Sequence, residues 1–277
     1  VSGITDSISD SVNIKLDTDP TLVYIFDLRS SLNPDAKPIA IFKIHPPHNF
    51  FSFHKINAVL TSPYIVELDL CVYLTMDGVL GKFVLGNMND ISDPSIRDTM
   101  PYDCDAFRRL TLNIETGDYF YTDFPIADMN GNKYRIELAS PNPKYNNKPY
   151  CYVYAPVKHF AGSSRYEDMG IIKIDLCKWE QQQKEETNIE DINNASYLVI
   201  GSYNETNVYV GEPIFVPDPH GENEDSGVLL VITRNQNMTY LTIVNAPDMK
   251  LITKIKAPFP LPFEFHGAFL RTNSQTD

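Results

Sequence analysis

The sequence predicts an all-β protein built from antiparallel sheets of the kind that form the blades of a β-propeller. Two observations lead to this class. Short runs of β-branched and aromatic residues recur along the chain, and turn residues separate them. The last third contains four such runs joined by short polar connections, which is the meander of one propeller blade. Because one blade cannot bury both of its faces, we expect several blades side by side.

The predicted strands follow one another closely. In chain order they are Leu22–Leu28, Pro38–Ile44, Tyr64–Leu74, Val79–Leu85, Phe107–Ile114, Asp118–Asp123, Tyr150–Ala155, Gly170–Leu176, Tyr197–Gly201, Pro213–Pro217, Gly227–Arg234, Thr239–Asn245 and Leu251–Lys256. A tight hairpin turn is predicted at Glu115–Asp118. Cys177–Thr187 is compatible with a helix, but it is polar on every side, which favours an exposed loop with at most one helical turn.

The charge balance excludes some classes of partner. The 277 residues include 36 acidic and 23 basic side chains, which gives a net charge of −13. This balance argues against nucleic acid, because binding there depends on Lys and Arg neutralising phosphates. It also disfavours electrostatic docking on anionic membranes. No apolar run approaches the roughly 18 residues of a membrane span.

The four cysteines lie far apart and form no CxxC pair, which favours reduced thiols in a cytoplasmic protein. Three N-x-S/T triplets, at Asn194, Asn204 and Asn237, point the other way, but such triplets arise easily by chance in an Asn-rich chain. The first residue is Val, and the polar opening resembles a linker. We therefore expect the sequence to begin inside a longer protein.

Two histidines and two glutamates stand in apolar surroundings. His54 and His266 lie among phenylalanines, and each is either a hydrogen-bonded core residue or a metal ligand. Glu137 and Glu212 stand beside apolar residues, where a carboxylate needs a partner. A metal-bound histidine is such a partner, because its second ring nitrogen carries a proton to donate. Taken singly, a core histidine and a solvent-facing strand end explain these residues better.

The other polar clusters carry weaker signals. His45-Pro-Pro-His48 could form a small metal clip, and the acidic loop Asp218–Asp225 with His220 could hold Ca²⁺. The loop lacks EF-hand spacing, so a solvated connection is the better interpretation. His159 has no distinguishing context. P-loop, GxGxxG, GxSxG and HExxH motifs are absent from the sequence.

Several short motifs occur in a fixed order from about Leu22 to Leu270. They are Phe53–Asn57 with Glu67–Cys71, Glu137 with Lys148–Tyr150, Glu212–Pro217 with Glu224–Leu229, and Pro262–Phe269. Each one is unspecific by itself. Their order and spacing together resemble the carotenoid cleavage oxygenases, a family that includes animal β-carotene oxygenases and the retinoid isomerohydrolase of the visual cycle.

This resemblance implies a seven-bladed propeller with Fe(II) on its axis, held by four histidines. His54 and His266 would be the third and fourth ligands. Glu137 would accept the ring N–H of His54, and Glu212 that of His266. A glycine after the histidine, Gly267, would let the backbone turn and pack closely.

The resemblance also implies a reaction. O₂ would add across a C=C bond of a carotenoid, apocarotenoid or related retinoid and leave two carbonyl products. Phe50, Phe51 and Phe53 would suit the wall of a substrate tunnel, although core packing explains them as well. Peripheral association with a membrane stays open.

The sequence departs from the family pattern in two places. The two upstream ligand histidines and one glutamate are missing, since His45 and His48 do not sit in the corresponding motifs. Val59 and Leu60 stand where the family has an aromatic residue and an acid. We therefore expect residues 1–277 to be a partial propeller domain that lacks the N-terminal half.

Three alternatives compete with a carotenoid dioxygenase. One is an isomerohydrolase that acts on a retinyl ester. Another is a non-catalytic propeller that binds a lipid or a protein, which the incomplete ligand set favours. The last is an iron site with two histidines and one carboxylate, formed by His54, His266 and either Glu137 or Glu212.

Overall fold

The computed structural model describes residues 16, 18–27, 33, 35–75, 105–158, 160–162, 168–185, 197–235, 237–261 and 266–270. Within these ranges lie fifteen β-strands, one α-helix and two short 3₁₀ turns. The chain divides into two compact units, Val1–Phe124 and Pro125–Asp277, and each is described by itself. In the described ranges no helix is long and apolar enough to cross a membrane.

The first unit consists of a two-stranded and a four-stranded antiparallel sheet. The two-stranded sheet pairs β1 (Thr21–Ile25) with β2 (Ala40–Ile44). The four-stranded sheet is a meander whose spatial order equals its chain order. Its strands are β3 (Lys55–Ser62), β4 (Ile65–Val72), β5 (Ala106–Asn113) and β6 (Tyr119–Phe124).

The core of the first unit lies between these two sheets. Phe42 and Ile44 alternate with exposed residues along β2 and are fully buried. They belong to one cluster with Leu110 and Leu112 of β5 and with Val72 of β4. Each fully buried side chain of this size contributes roughly 1.5–3 kcal/mol. The alternation in β2 therefore fixes which face of the hairpin covers the meander.

The second unit consists of two further antiparallel sheets. The first has the order β10-β9-β8-β7, and the second has the order β11-β13-β14-β15 with β12 also paired to β13. The strands of the first sheet are β7 (Ser140–Pro141), β8 (Tyr152–Val157), β9 (Gly170–Asp175) and β10 (Val199–Asn204). Those of the second are β11 (Tyr209–Val210), β12 (Ile214–Pro217), β13 (Gly227–Arg234), β14 (Thr239–Asn245) and β15 (Leu251–Lys256).

The two sheets of the second unit share one hydrophobic core. Tyr154 and Ile171 of the first sheet lie in the same buried cluster as Phe215, Leu229 and Val231 of the second. The rings of Tyr154 and Phe215 are 5.4 Å apart and tilted by 36°. Burial raises the pKa of the Tyr154 hydroxyl well above its ordinary value. This packing sets the distance between the two sheets.

Polar contacts also tie these sheets together. The Glu224 carboxylate, in the loop between β12 and β13, accepts the backbone N–H groups of Cys151 and Tyr152 at 2.9 and 2.7 Å. Burial raises the pKa of Glu224, although these two hydrogen bonds act in the opposite direction. Its neighbour Asp225 accepts from the Nζ of Lys173, which is 2% exposed, at 2.6 Å. A buried cation of the first sheet thus pairs with a partly buried carboxylate in a loop of the second.

The predicted all-β fold of propeller-type meanders is confirmed. Twelve of the predicted strands correspond to observed ones, and the last three agree to the residue. The meander order predicted for the last sheet is confirmed, and so is the hairpin turn at Glu115–Asp118, where Gly117 has a φ of +80°. Val79–Leu85 lies outside the described residues. The strands β3, β7 and β11 were not predicted, and the last two contain only two residues each.

The interpretation of Cys177–Thr187 as an exposed loop is wrong. An α-helix, α1, extends over Leu176–Glu185. The Asp175 carboxylate caps it by accepting the N–H of Lys178 at 3.1 Å. Leu176 is 1% exposed, and the Nζ of Lys178 lies 3.4 Å from the centre of the Tyr197 ring. The first turn is therefore anchored by tertiary contacts that a helical periodicity does not reveal.

The prediction of reduced thiols is wrong for two of the four cysteines. Cys151 and Cys177 form a disulfide with a Cα–Cα distance of 5.0 Å, within the usual range for such bonds. They are 26 residues apart in sequence, and the antiparallel pairing of β8 with β9 brings them together. Cys71 is a buried free thiol, and Cys104 lies outside the described residues. The cytoplasmic location inferred from reduced thiols loses this ground and stays a prediction.

The ion pair between Lys173 and Asp225 leads to a stability prediction. Asp225→Ala removes the carboxylate partner of an almost fully buried cation, which then keeps its hydrogen bond to the carbonyl of Pro247, and we expect a loss of about 3 kcal/mol in the free energy of unfolding. Urea unfolding followed by circular dichroism measures this change. Lys250→Ala is the matched control, because the pair of Lys250 with Asp248 lies at the surface. Equal effects of the two substitutions would contradict the prediction.

Candidate functional site

Glu212 lies at an interruption in the edge of the last sheet. β11 and β12 pair with successive parts of the same neighbour, β13. Between them, the Gly211 N–H still donates to the carbonyl of Ile232 at 2.9 Å. Pro213 follows and has no N–H to contribute to the ladder. The backbone thus leaves regular pairing at Glu212, in the gap between β11 and β12 on the edge of the sheet.

The Glu212 carboxylate holds His266. Its Oε2 lies 3.3 Å from Nδ1 of the imidazole and accepts the N–H of Gly267 at 3.1 Å. A carboxylate oxygen only accepts, so a hydrogen bond at this distance requires the tautomer with the proton on Nδ1. This tautomer places the lone pair on Nε2, the nitrogen that a metal ion would use. The Glu212 side chain is 19% exposed, whereas that of His266 is 60% exposed.

An apolar pocket of about 220 Å³ adjoins this pair. Its walls include Ile214, Ile232 and Leu241 from three strands, together with Phe269 from the segment after the histidine. Glu212 and His266 supply its ionisable groups. Among the described residues, the pocket thus combines one imidazole and one carboxylate with walls that are otherwise apolar.

Gly267 packs closely against the end of the Ile214 side chain. A Cβ at this position would lie 2.5 Å from Cδ1 of Ile214, which is closer than real Cβ contacts allow. Its φ is not in the left-handed region, so the need is for close packing and not for an unusual turn. The prediction that glycine allows the backbone to approach closely agrees with this contact. The approach lets the N–H of Gly267 reach Glu212.

His54 lies in the first unit, directly before β3. Its carbonyl accepts the N–H of Cys71 at 3.1 Å and the hydroxyl of Ser52 at 3.1 Å. The pairing of β3 with β4 sets Asn57 opposite Asp69, so the first two sequence motifs become neighbours in space. Asp69 is buried and accepts two hydrogen bonds from Arg109, at 2.8 and 2.9 Å. The backbone on which His54 stands is thus firmly held.

The three phenylalanines before His54 divide into two groups. Phe50 is 4% exposed and belongs to the hydrophobic core, as core packing alone would explain. Phe51 and Phe53 meet edge to face at 4.7 Å, and both contact the ring of Tyr73. Phe53 is 47% exposed. A role for these rings in a substrate tunnel stays a prediction.

Glu137 lies in the second unit, just before β7. Its carboxylate accepts the N–H of Leu138 at 3.0 Å, and Leu138 has a φ of 52°. A bulky residue rarely adopts this conformation, and such strain of about 1–3 kcal/mol tends to occur at functional sites. Nearby, Ser140 donates its hydroxyl to the carbonyl of Pro213 at 2.5 Å. This contact joins the segment after Glu137 to the residue after Glu212.

The structure thus brings Glu212 and His266 together, whereas the pairing of Glu137 with His54 stays a prediction. Ser140, Gly211 and Asn142 support the site but were not singled out from the sequence, because their contacts are to backbone atoms of distant segments. Asn142 donates to the carbonyl of Glu224 at 2.7 Å. No short-range sequence pattern carries such a contact.

The weaker candidates have other contacts. The backbone N–H of His48 donates to the carbonyl of His45, and the ring Nδ1 of His48 lies 2.9 Å from the hydroxyl of Tyr121. His220 is exposed, and its N–H donates to the carboxylate of Asp218. Among the residues that the structure describes, no three His, Cys, Asp or Glu side chains lie close enough together to hold a metal. His159 lies outside the described residues.

Comparison with known proteins places these features in a family. The family model described as "Retinal pigment epithelial membrane protein" matches residues 4–271. The mitochondrial carotenoid-cleaving dioxygenase of Homo sapiens is 37% identical over 71 residues, which is 24% of this chain and 12% of that protein. The β,β-carotene 15,15'-dioxygenase of Gallus gallus is 27% identical over 141 residues, or 50% of this chain and 22% of that protein.

Solved structures show the same fold. A cobalt-substituted Synechocystis ACO covers 94% of this chain with a TM-score of 0.62 and 19% identity. An ACO/RPE65 chimera covers 93% with a TM-score of 0.60 and 20% identity. In both alignments the chain spans 45% of the solved protein. The chain therefore corresponds to less than half the length of these relatives.

The close contact at Gly267 leads to a prediction for the site. Gly267→Ala forces the new Cβ against Cδ1 at the end of the Ile214 side chain, and we expect a loss of about 1 kcal/mol in the free energy of unfolding. Ile214→Val removes the Cδ1 atom that causes the clash. The double variant should therefore be more stable than the sum of the two single effects. Denaturant unfolding of the four proteins tests this, and strict additivity would contradict it.

Proposed function

The chain belongs to the family described as "Retinal pigment epithelial membrane protein", the carotenoid oxygenases, and on this premise we propose that it forms part of an iron-dependent dioxygenase that cleaves a C=C bond of a carotenoid or apocarotenoid. The substrates are the polyene and O₂, and the products are two carbonyl compounds. Because the chain spans less than half of its solved relatives, the activity is proposed for the whole protein.

The observation that carries this proposal is the contact between Glu212 and His266. The carboxylate accepts the Nδ1 proton and thereby orients the ring with Nε2 as the donor atom. Imidazole nitrogen is a suitable ligand for Fe(II). The residues present thus fit one of the histidine positions that the motif order implies, and Glu212 fits the carboxylate behind it.

An Fe(II) ion bound by His266, by His54 and by further ligands would supply the activation of O₂ that this chemistry requires. His54 is proposed as a ligand on the strength of its motif. Glu137 is proposed as its carboxylate partner for the same reason. Glu212 is less suited to be the carboxylate ligand of the alternative site with two histidines and one carboxylate, because it already accepts hydrogen bonds from His266 and Gly267.

The chain's own residues contribute orientation and an apolar surface. The Glu212 carboxylate accepts the N–H of Gly267 and so holds the segment of His266 beside the gap between β11 and β12. Ile214, Ile232 and Phe269 present apolar surface directly beside the imidazole. Such surface favours a polyene over water, because burial of apolar area drives association. The hydroxyl of Ser140 donates to the carbonyl of Pro213 and so holds the segment after Glu137 beside the segment after Glu212.

The names of the curated relatives favour cleavage over isomerisation. Those relatives are carotenoid-cleaving and β-carotene dioxygenases. Ester isomerohydrolase activity and a non-catalytic binding role remain the competing outcomes, and product analysis separates all three. We also propose a peripheral contact with membranes, since polyenes partition there.

The test uses the full-length natural protein. His266→Ala should abolish both iron retention and cleavage, because the ligand itself is lost. Glu212→Gln keeps an acceptor oxygen but removes the charge, and we expect iron affinity to fall by about 10- to 100-fold. Metal analysis after dialysis and chromatography of the carotenoid products provide the two measurements.

His220→Ala is the matched control, because this histidine is exposed in a loop outside the pocket. It should leave iron content and turnover unchanged. Normal cleavage by His266→Ala would rule out the proposed ligand. A product that is an isomerised retinol would establish the isomerohydrolase, and absence of both iron and product in the wild-type protein would establish a binding role.

A further inference from the structure

Ser140 connects the two segments that carry Glu137 and Glu212. It lies on β7, where its backbone pairs with Tyr154 of β8. Its hydroxyl donates to the carbonyl of Pro213, which lies 2.5 Å away and belongs to the other sheet of the second unit. Pro213 directly follows Glu212, and Ser140 comes shortly after Glu137. One hydroxyl thus sets the spacing between two backbone segments, each of which carries a candidate carboxylate.

The carbonyl of Pro213 lies where the edge of the last sheet is interrupted. Pro213 is buried and stands in the gap between β11 and β12, where regular pairing with β13 stops. A buried carbonyl needs a hydrogen-bond donor, because the loss of its hydration is otherwise uncompensated. Ser140 supplies a donor from outside the sheet. The hydrogen bond therefore stabilises the gap in which Glu212 stands, and with it the position of the Glu212 carboxylate.

The backbone between Glu137 and Ser140 is strained. Leu138 has a φ of 52°, which a bulky residue rarely adopts. Strain of this kind persists only where the surrounding structure holds it. Two contacts contribute here: the Glu137 carboxylate accepts the N–H of Leu138 at 3.0 Å, and the Ser140 hydroxyl anchors the chain just beyond. The conformation at Glu137 therefore depends on the same hydroxyl.

Other side chains attach the same segment farther along. Asn142 donates to the carbonyl of Glu224 at 2.7 Å, and the Nζ of Lys144 donates to the carbonyl of Asp218 at 3.1 Å. Both acceptors lie in the loop between β12 and β13, at the end of β12 that is remote from Glu212. Of these three donors, the serine is therefore the one whose acceptor adjoins a candidate site residue.

We propose that Ser140 is a positioning residue of the candidate metal site. It acts through the carbonyl of Pro213 on Glu212, and through Glu212 on the orientation of His266. Its effect on iron rests on the proposed function. Its effect on the contact between the Glu212 carboxylate and the N–H of Gly267 does not, because that contact is present without a metal.

The first test therefore uses the metal-free, full-length natural protein. Hydrogen exchange is followed by mass spectrometry of a peptide that contains Gly267. In Ser140→Ala the amide of Gly267 should exchange about fivefold faster than in the wild type, the factor that one net hydrogen bond contributes. Ser140→Thr keeps a hydroxyl and should restore the wild-type exchange rate.

Thr242→Val is the matched control. It removes a buried hydroxyl that bonds to the hydroxyl of Thr233 at 2.6 Å. Thr242 lies on the last sheet but alternates with Leu241 of the pocket wall, so it faces the other way. The substitution should lower the stability of the protein to a similar degree as Ser140→Ala. It should leave exchange at Gly267 unchanged.

Iron affinity provides the second test. In competition with a chelator, Ser140→Ala should hold iron about fivefold more weakly than the wild type, and Ser140→Thr should hold it normally. Because Ser140 acts through Glu212, adding Ser140→Ala to Glu212→Gln should cause little further loss. A general loss of stability would instead weaken iron binding equally in both backgrounds.

Unchanged exchange at Gly267 in Ser140→Ala would overturn the proposal, and so would an equal acceleration in Thr242→Val. Strict additivity of Ser140→Ala with Glu212→Gln in iron affinity would overturn it as well. A wild-type protein that holds no iron would contradict the proposed function instead. The exchange measurement would then decide the positioning role of Ser140 by itself.

Discussion

The packing of the two sheets of the second unit against each other is the constraint on which the candidate site depends. Tyr154 and Phe215 meet at the centre of their shared core, and Glu224 and Asp225 bind to the first sheet from a loop of the second. These contacts fix the edge formed by β11 and β12. Glu212 interrupts that edge, so its carboxylate is held by a rigid sheet on one side and reaches the segment of His266 on the other.

The same physical requirement explains why polar residues appear at buried positions. A carboxylate or ammonium group that is buried or partly buried needs partners, and three such groups in the described part of the chain have them: Glu224 accepts backbone N–H groups, Lys173 pairs with Asp225, and Asp69 pairs with Arg109. These pairs orient strands that carry the sequence motifs. The motifs therefore contain two kinds of residue: those proposed to bind a metal or orient its ligands, and those that hold the backbone in place around them.

The disulfide joins two cysteines that the sequence predicts to be reduced. Widely spaced cysteines in a chain of this length suggest thiols, but β8 and β9 lie side by side and bring two of them together.

The sequence by itself determined the class of fold, most of the strands and the identity of the candidate residues. β-branched and aromatic runs are local signals, so β13, β14 and β15 could be predicted to the residue. The order of the motifs pointed to Glu212 and His266. Their contact, the space that Gly267 leaves for Ile214, the anchoring of α1 and the pairing of Cys151 with Cys177 were decided by the tertiary structure alone. Each of these joins residues distant in sequence or depends on packing from another strand, and local patterns carry no information about such distances.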